Sequence, residues 1–294
     1  LESLKKAMKD YDDKLFINCM VANEDIVKTY ENAGFLCIED PTRAVVAMSA
    51  LMFFGEEFKD KHFVNDFNKK DFVVQIPNKK LNEVDCSQIL RNFGLPIVTS
   101  TLIRNKDELK SIFNEDNNKY VMKIVSPDIQ HKTDVGGVKL NIGNIDNAIK
   151  SYEEIHLNIK NNAPNAVVDG VMVSPMVKGG IECILGAKID PVFGPIVMFG
   201  LGGIYAEVMK DIAFAEAPIS HKKAEKMILS LKGKDLFYGA RGQSSIDIEA
   251  LKEIIVNLSN FIAANSNQID QVEMNPVLVS DKQVIALDAL IVTK

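Results

Sequence analysis

Apolar and polar residues alternate from Tyr120 to Val125, which predicts a strand with Val121, Lys123 and Val125 on one face and Met122 and Ile124 on the other. Lys123 thus stands mid-strand where an apolar residue is expected, and it needs a partner. Pro127 ends the strand, a polar loop carries His131, Lys132, Thr133 and Asp134, and Gly136 and Gly137 lead into an apolar strand from Val138 to Ile142. Upstream, the pattern gives a strand from Leu15 to Val21, a helix from Asn23 to Asn32 stopped at Gly34, and a strand from Phe35 to Ile38. A helix from Thr42 to Phe54 follows, with Asp40 placed to cap it and Pro41 in its first turn. Strand, helix, strand, helix is a parallel-sheet unit, but two strands do not make a stable doubly wound domain. Residues 1–62 therefore read as the tail of a larger domain, and the unfinished sheet calls for a partner or an oligomer.

Residues 56–80 are charged and rich in asparagine with little periodicity, and the boundary between domains falls there, as a linker over residues 63–80. A second α/β region occupies residues 81–294. A helix from Leu81 to Phe93 ends at Gly94, Pro96 opens a strand from Ile97 to Ser100, and a helix is expected around Asn105 to Asn114. Beyond the central hairpin come a helix from Asn144 to Ile159 and strands from Asp169 to Met176, Ile181 to Ile189 and Pro195 to Phe199. Helices around His221 to Leu231 and Ile246 to Ala264 follow. The second of these repeats Ile248, Leu251, Ile255, Leu258 and Ile262 at helical spacing, a core face.

Three stretches carry candidate chemistry. The loop after Val125 pairs adjacent glycines, whose amides can approach an anion closely, with a histidine able to accept a phosphoryl group on a neutral imidazole; the same pattern also suits a plain hairpin. Gly200, Gly202 and Gly203 form a tight turn, but the spacing of a dinucleotide fingerprint is broken, so a glycine-lined turn beside a ligand or a bend in a sheet fits better. From Gln271 a last hairpin turns at Ser280 to Lys282, and its apolar alternation is interrupted by Glu273, Asn275 and Asp288. Asn275 and Asp288 can face each other on paired strands. Oxygen ligands converging there suit Mg²⁺, which takes one or two carboxylates and leaves its other positions to phosphate and water; the alternative is a turn at Asn275 and Pro276 with Asp288 capping a loop.

The net charge of −6, with lysines and acids interspersed, gives no basic footprint for nucleic acid or an anionic membrane. No apolar run approaches a membrane span, and the first residues lack the apolar stretch of a signal peptide, which points to a cytoplasmic protein. Four scattered cysteines suit reduced, mostly buried thiols. Leu1 in place of methionine suggests a fragment, a processed chain or an excised piece.

Taken together, KIVSPDIQHKTDVGGVKLNI, GGIECILGAKIDPVFGPIVMFGLGGIYAEVMKD, the GARG at Gly239 to Gly242, and EMNPVLV followed by VIALDALI resemble the ATP-grasp portion of the ADP-forming acyl-CoA synthetases, relatives of succinyl-CoA synthetase. The resemblance spans Leu81 to Lys294, and residues 1–62 look like the end of that family's flavodoxin-like ligase domain. It implies ATP or ADP clamped between two α/β subdomains, with the loop from Ser126 to Gly137 as a mobile cover. It also implies phosphate contacts from Lys123, nucleotide contacts from Gly136, Gly137, Glu182, Gly202 and Gly203, and Mg²⁺ held by Asn275 and Asp288 with Glu273 nearby. His131 matches the family's phosphate-accepting histidine. The family reaction is acyl-CoA + ADP + Pi ⇌ carboxylic acid + CoA + ATP, through acyl phosphate and phosphohistidine. The implied partners are CoA-binding and ligase domains, upstream or on another chain, with CoA and a small carboxylic acid as substrates. Two departures from the family pattern, at Ala215 and at Ser174 with Pro175, bear on nucleotide contacts. The competing readings are a regulatory module of a protein lysine acetyltransferase and an assembly domain that no longer binds nucleotide.

Overall fold

A computed structural model of the 294-residue chain describes residues 1–9, 11, 14–60, 67–77, 79–113, 118–129, 131–203, 210–239 and 245–294. The chain divides into two compact units, Leu1–Asn65 and Asp66–Lys294. Among the described residues no helix is long and apolar enough to cross a membrane.

The first unit contains α1 (Glu2–Met8), β1 (Ile17–Cys19), α2 (Glu24–Asn32), β2 (Leu36–Ile38) and α3 (Pro41–Asp60). β1 and β2 pair in parallel, with Ile17 opposite Leu36. Asp40 starts α3 as its sequence position predicts: its carboxylate accepts from the amides of Thr42 at 2.6 Å and Arg43 at 3.3 Å. Those two bonds hold its carboxyl below the usual range. Among its described side chains only Phe35 and Ala44 are buried apolar groups, whereas Val46, Leu51, Met52, Phe53 and Phe54 of α3 are exposed. Two strands and two helices leave that helix with more apolar surface than they can cover.

The second unit holds two antiparallel sheets, each with its own core. The smaller contains β3 (Thr101–Ile103), β4 (Tyr120–Val125), β5 (Val138–Ile142) and β6 (Gly170–Pro175), in the order β3–β6–β4–β5. Between β5 and β6 lies α5 (Ile145–Asn162), started by the Asn144 side chain accepting from the Asn147 amide at 2.8 Å. Met122, Ile124, Ile142, Ile155, Ile159, Val171 and Val173 fill the core beneath it. Residues alternate across a strand, so burying Met122 and Ile124 sends Val121 and Lys123 to the opposite face.

The larger sheet runs β11 (Val284–Ala286), β10 (Ile269–Val279), β7 (Ile181–Asp190), β8 (Gly194–Leu201), β9 (Ile212–Glu216), and β12 (Ala289–Thr293) also pairs with β10. α4 (Glu83–Asn92) packs on β12, and α7 (Ile248–Ala264) on β7, β8 and β10 with α6 (His221–Ser230) beside it. The helical stripe of α7 is core as expected: Leu251, Ile255, Leu258 and Ile262 are fully buried.

The structure amends the sequence reading in four places. Ile97 makes only a single bridge to Ala286, and the strand of the smaller sheet starts later, at Thr101. The helix expected around Asn105 is a short 3₁₀ helix, Lys106–Ser111. β9 was not foreseen. The linker placed at residues 63–80 is shorter than that, because Phe67, Val74 and Ile76 pack on the larger core. Asn265, fully buried after α7, secures this segment: its carboxamide oxygen accepts from the Val74 amide at 2.9 Å, and its nitrogen donates to the Phe72 carbonyl at 2.9 Å. Three scattered apolar side chains and backbone bonds to one buried amide tie this stretch down without giving it a periodic pattern.

Asn265→Ala leaves the part-buried Val74 amide and Phe72 carbonyl without their partner, so it should cost about 1–3 kcal/mol. A fall in the denaturation midpoint without a change of slope checks this.

Candidate functional site

Lys123 leaves β4 on the face away from its core, and its ammonium donates to the Leu287 carbonyl at 3.0 Å. The same Nζ lies 3.3 Å from Asp288 Oδ2 and 3.4 Å from Glu83 Oε1. The partner that a mid-strand lysine needs therefore comes from the larger sheet and from the first turn of α4. Lys132, from the loop after β4, enters the same group, with its Nζ 2.8 Å from Glu83 Oε2 and 3.8 Å from Asp288 Oδ2. Two cations thus face two carboxylates.

Burial, then the neighbouring Asp288 carboxylate, pushes the Glu83 carboxyl up to about 7 against the pull of the two lysines. For Asp288 burial acts upward too, but Lys123 and Lys132 outweigh it and hold this carboxyl below its usual range. Of two acids sharing the same cations, the deeper one is the harder to ionise. Glu83, with a side chain 4% exposed against 31% for Asp288, is the deeper.

Of these groups Lys123 lines a cleft of about 350 Å³ formed by residues of both sheets. Its apolar walls include Val98, Val121, Leu140, Met176, Leu278 and Leu287. Ser174 and Pro175, at the end of β6, lie along it, and Glu182 stands on the β7 side. An apolar slot with the Lys123 ammonium in its wall fits a ligand that joins a flat hydrophobic body to an anionic tail.

Glu182, Gly202 and Gly203 come together: the Gly202 amide donates to the Glu182 carbonyl at 2.7 Å, and a Cβ on Gly203 would stand 3.1 Å from Glu182 Oε2. Residues 204–209 of the glycine turn and residues 240–242 of the GARG stretch lie outside the described residues. Ala215 is buried in the larger core, so its departure from the family pattern falls on packing and not on the cleft.

The last hairpin pairs as its spacing predicts. Met274 lies opposite Ala289, and the Asn275 amide donates to the Asp288 carbonyl at 3.3 Å. Val272 and Met274 are buried, which places Glu273 and Asn275 together on the other face of β10, where the Asn275 carboxamide donates to Glu273 Oε1 at 3.1 Å. Among the described residues no group of three or more His, Cys, Asp or Glu side chains is assembled for a metal. Two acids and an amide fit a hard cation that takes few protein ligands and completes its shell with phosphate and water, as Mg²⁺ does.

His131 is exposed, on a loop held at both feet. On the first side, Ile129 is buried and the Asp128 carboxylate accepts from the Val167 amide and from Lys80, each at 2.9 Å. On the second, Asn158 and Asn162 of α5 donate to the carbonyls of Gly136 at 3.0 Å and Val135 at 3.3 Å. The amides of Gly136 and Gly137, read from the sequence as anion donors, are given instead to the Thr133 and Lys132 carbonyls, at 3.0 and 2.8 Å. Gly137 answers to packing, because a Cβ there would stand 2.6 Å from Ile124 Cγ2.

Sequence reasoning missed Glu83 and Lys132. Lys132 was named only as part of the loop. Glu83 follows the cap residue Asn82, where acids ordinarily sit in water against the helix dipole, so nothing in the pattern signals its burial.

Comparison with known proteins agrees with this geometry. The family described as ATP-grasp domain matches residues 73–293. The beta subunit of acetate–CoA ligase (ADP-forming) I from Pyrococcus furiosus is 40% identical over 212 residues, covering 72% of this chain and 91% of the relative. Acetate–CoA ligase (ADP-forming) I from Archaeoglobus fulgidus is 32% identical over 300 residues, covering 96% of this chain but 43% of the relative, so the chain spans less than half of that protein. Among solved structures, the dinucleotide-forming acetyl-coenzyme A synthetase 1 of Ca. Korarchaeum cryptofilum, in complex with coenzyme A and Ca-AMPCP, is 36% identical, with a TM-score of 0.69 over 73% of this chain and 93% of that one. A second structure of that protein contains Mg-AMPPCP, with its phosphohistidine segment pointing towards the nucleotide site; it is 34% identical, with a TM-score of 0.61 over 72% of this chain and 92% of that one. With its two-sheet cleft and these relatives, the chain belongs to the ATP-grasp family, and within it to the ADP-forming acyl-CoA ligases.

Proposed function

We propose that this chain is the nucleotide-binding and phosphoryl-transfer part of an ADP-forming acyl-CoA synthetase, catalysing acyl-CoA + ADP + Pi ⇌ carboxylate + CoA + ATP together with CoA-binding and ligase domains upstream or on another chain. The observation that carries the reading is the meeting of Lys123, which lines an apolar cleft, with Asp288 and Lys132, Lys132 being next in sequence to the exposed His131.

In this reading the apolar walls take the base of ATP or ADP, Glu182 lies beside the sugar, and Lys123 receives the phosphates. Asn275 and Asp288, with Glu273 beside them, would hold Mg²⁺, which when bound neutralises phosphate charge. An unprotonated nitrogen of His131 attacks the terminal phosphorus, an N–P bond forms, and the P–O bond to ADP breaks, leaving ADP with the electron pair. No proton has to leave the imidazole, because its N–H is on the other nitrogen. The lysines offset charge on the transferring oxygens, where most of the catalysis of phosphoryl transfer resides. A regulatory or assembly module has no need of a histidine exposed beside that cluster.

Residues 1–62 then form the end of a larger flavodoxin-like domain. The exposed apolar face of α3 and the Archaeoglobus alignment over 96% of the chain support this. Acyl selectivity, coenzyme A and the small carboxylic acid belong to the parts beyond.

Incubation with γ-labelled ATP and Mg²⁺ should place acid-labile, base-stable phosphate on the wild type and none on His131→Ala. Nucleotide binding without label would contradict the transfer step. Lys123→Met removes a charge-assisted contact and should weaken ADP binding by about 10- to 100-fold in calorimetry. Asp288→Asn should raise the Mg²⁺ concentration needed for half-maximal labelling by about tenfold or more.

A further inference from the structure

Glu83 is an odd neighbour for a phosphate site. A carboxylate beside the phosphate-binding Lys123 repels the ligand, and burying it is costly. Its position is nevertheless rigid. Asn82 and Asp85 close a reciprocal cap around the start of α4, with the Asp85 amide donating to Asn82 Oδ1 at 3.0 Å and the Asn82 amide to Asp85 Oδ2 at 3.2 Å. The Asn82 carboxamide also donates to Asp169 Oδ2 at 2.8 Å, beside the start of β6.

Its closest cation is Lys132, at 2.8 Å, against 3.4 Å for Lys123. Lys123 has the Leu287 carbonyl and Asp288 besides, so Glu83 serves mainly Lys132. The Lys132 side chain is only 15% exposed although it comes from a loop whose neighbouring residue, His131, is exposed. Consecutive Cα atoms lie about 3.8 Å apart, so fixing Lys132 fixes the backbone of His131. The Lys132 carbonyl, in turn, accepts from the Gly137 amide and closes the loop on itself.

We infer that Glu83 and Lys132 form a latch: Glu83 is a positioning residue that grips the lysine following His131 and holds this loop docked beside Lys123. The role of the latch in transfer rests on the phosphoryl-transfer reading, but docking of the loop does not.

The test is hydrogen–deuterium exchange of the full chain, followed at the Gly136 and Gly137 amides, for wild type, Glu83→Gln, Lys132→Met, the double variant and Lys132→Arg. The latch predicts exchange faster by about tenfold or more in either single variant, a double variant no faster than the faster single, and Lys132→Arg close to wild type. It further predicts that labelling of His131 from ATP slows by about tenfold in Glu83→Gln, with ATP affinity changed by less than about threefold. Unchanged exchange in both single variants, or independent additive effects in the double, overturns the latch. Faster exchange in the variants of a protein whose wild type takes no label supports the latch and overturns the phosphoryl-transfer reading. Normal labelling with unchanged exchange does the reverse.

Discussion

Everything at the cleft depends on a lysine in the middle of a buried strand. Met122 and Ile124 are fully buried on either side of Lys123, which forces its side chain off the small sheet's core. An ammonium sent towards protein needs acceptors, and it meets the Leu287 carbonyl and Asp288 of the larger sheet and Glu83 of α4. One charge therefore joins both sheets. The cost of taking it from water is offset only while those acceptors, or the phosphates of a ligand, surround it.

The same constraint organises the surroundings. The chain passes between the sheets at residues 96–101, where the Val98 amide donates to the Ala286 carbonyl at 2.9 Å and the Ala286 amide to the Pro96 carbonyl at 2.8 Å. It passes again from β6 to β7, where Ser174 and Pro175 line the cleft. The acids that meet Lys123 come from the start of α4 and the turn before β12. A cleft built between two separate cores can be apolar along most of its wall and carry a lysine in it, and that division suits a nucleotide.

Much of this was legible in the residues. The misplaced lysine, the polar loop with one histidine, and the interruption of the last hairpin at Asn275 and Asp288 each broke a hydrophobic pattern, and such breaks mark sites. Other features left no such mark. β9 points Ala215 inward and Ile212 and Phe214 outward, so the large apolar residues lie on the side where a strand usually shows polar ones. Glu83 occupies an ordinary helix-start position and is buried only by its tertiary neighbours. Gly136 and Gly137 read as an anion cradle because close approach to a ligand and close approach to a strand demand the same residue. The 3₁₀ helix at Lys106–Ser111 differs from an α-helix only in the offset of its hydrogen bonds, which composition does not report.

The central proposal is that the phosphates of a nucleotide sit beside Lys123 and Asp288, with Asn275 on the strand paired to Asp288. The most direct measurement is NMR relaxation with Mn²⁺ in place of Mg²⁺, in the presence and absence of ADP. The account predicts that Mn²⁺ with ADP broadens the amide signals of Lys123, Asn275 and Ala289 more strongly than those of α6, which packs on β9 at the far edge of the larger sheet. Broadening centred elsewhere, or none despite bound ADP, would contradict it.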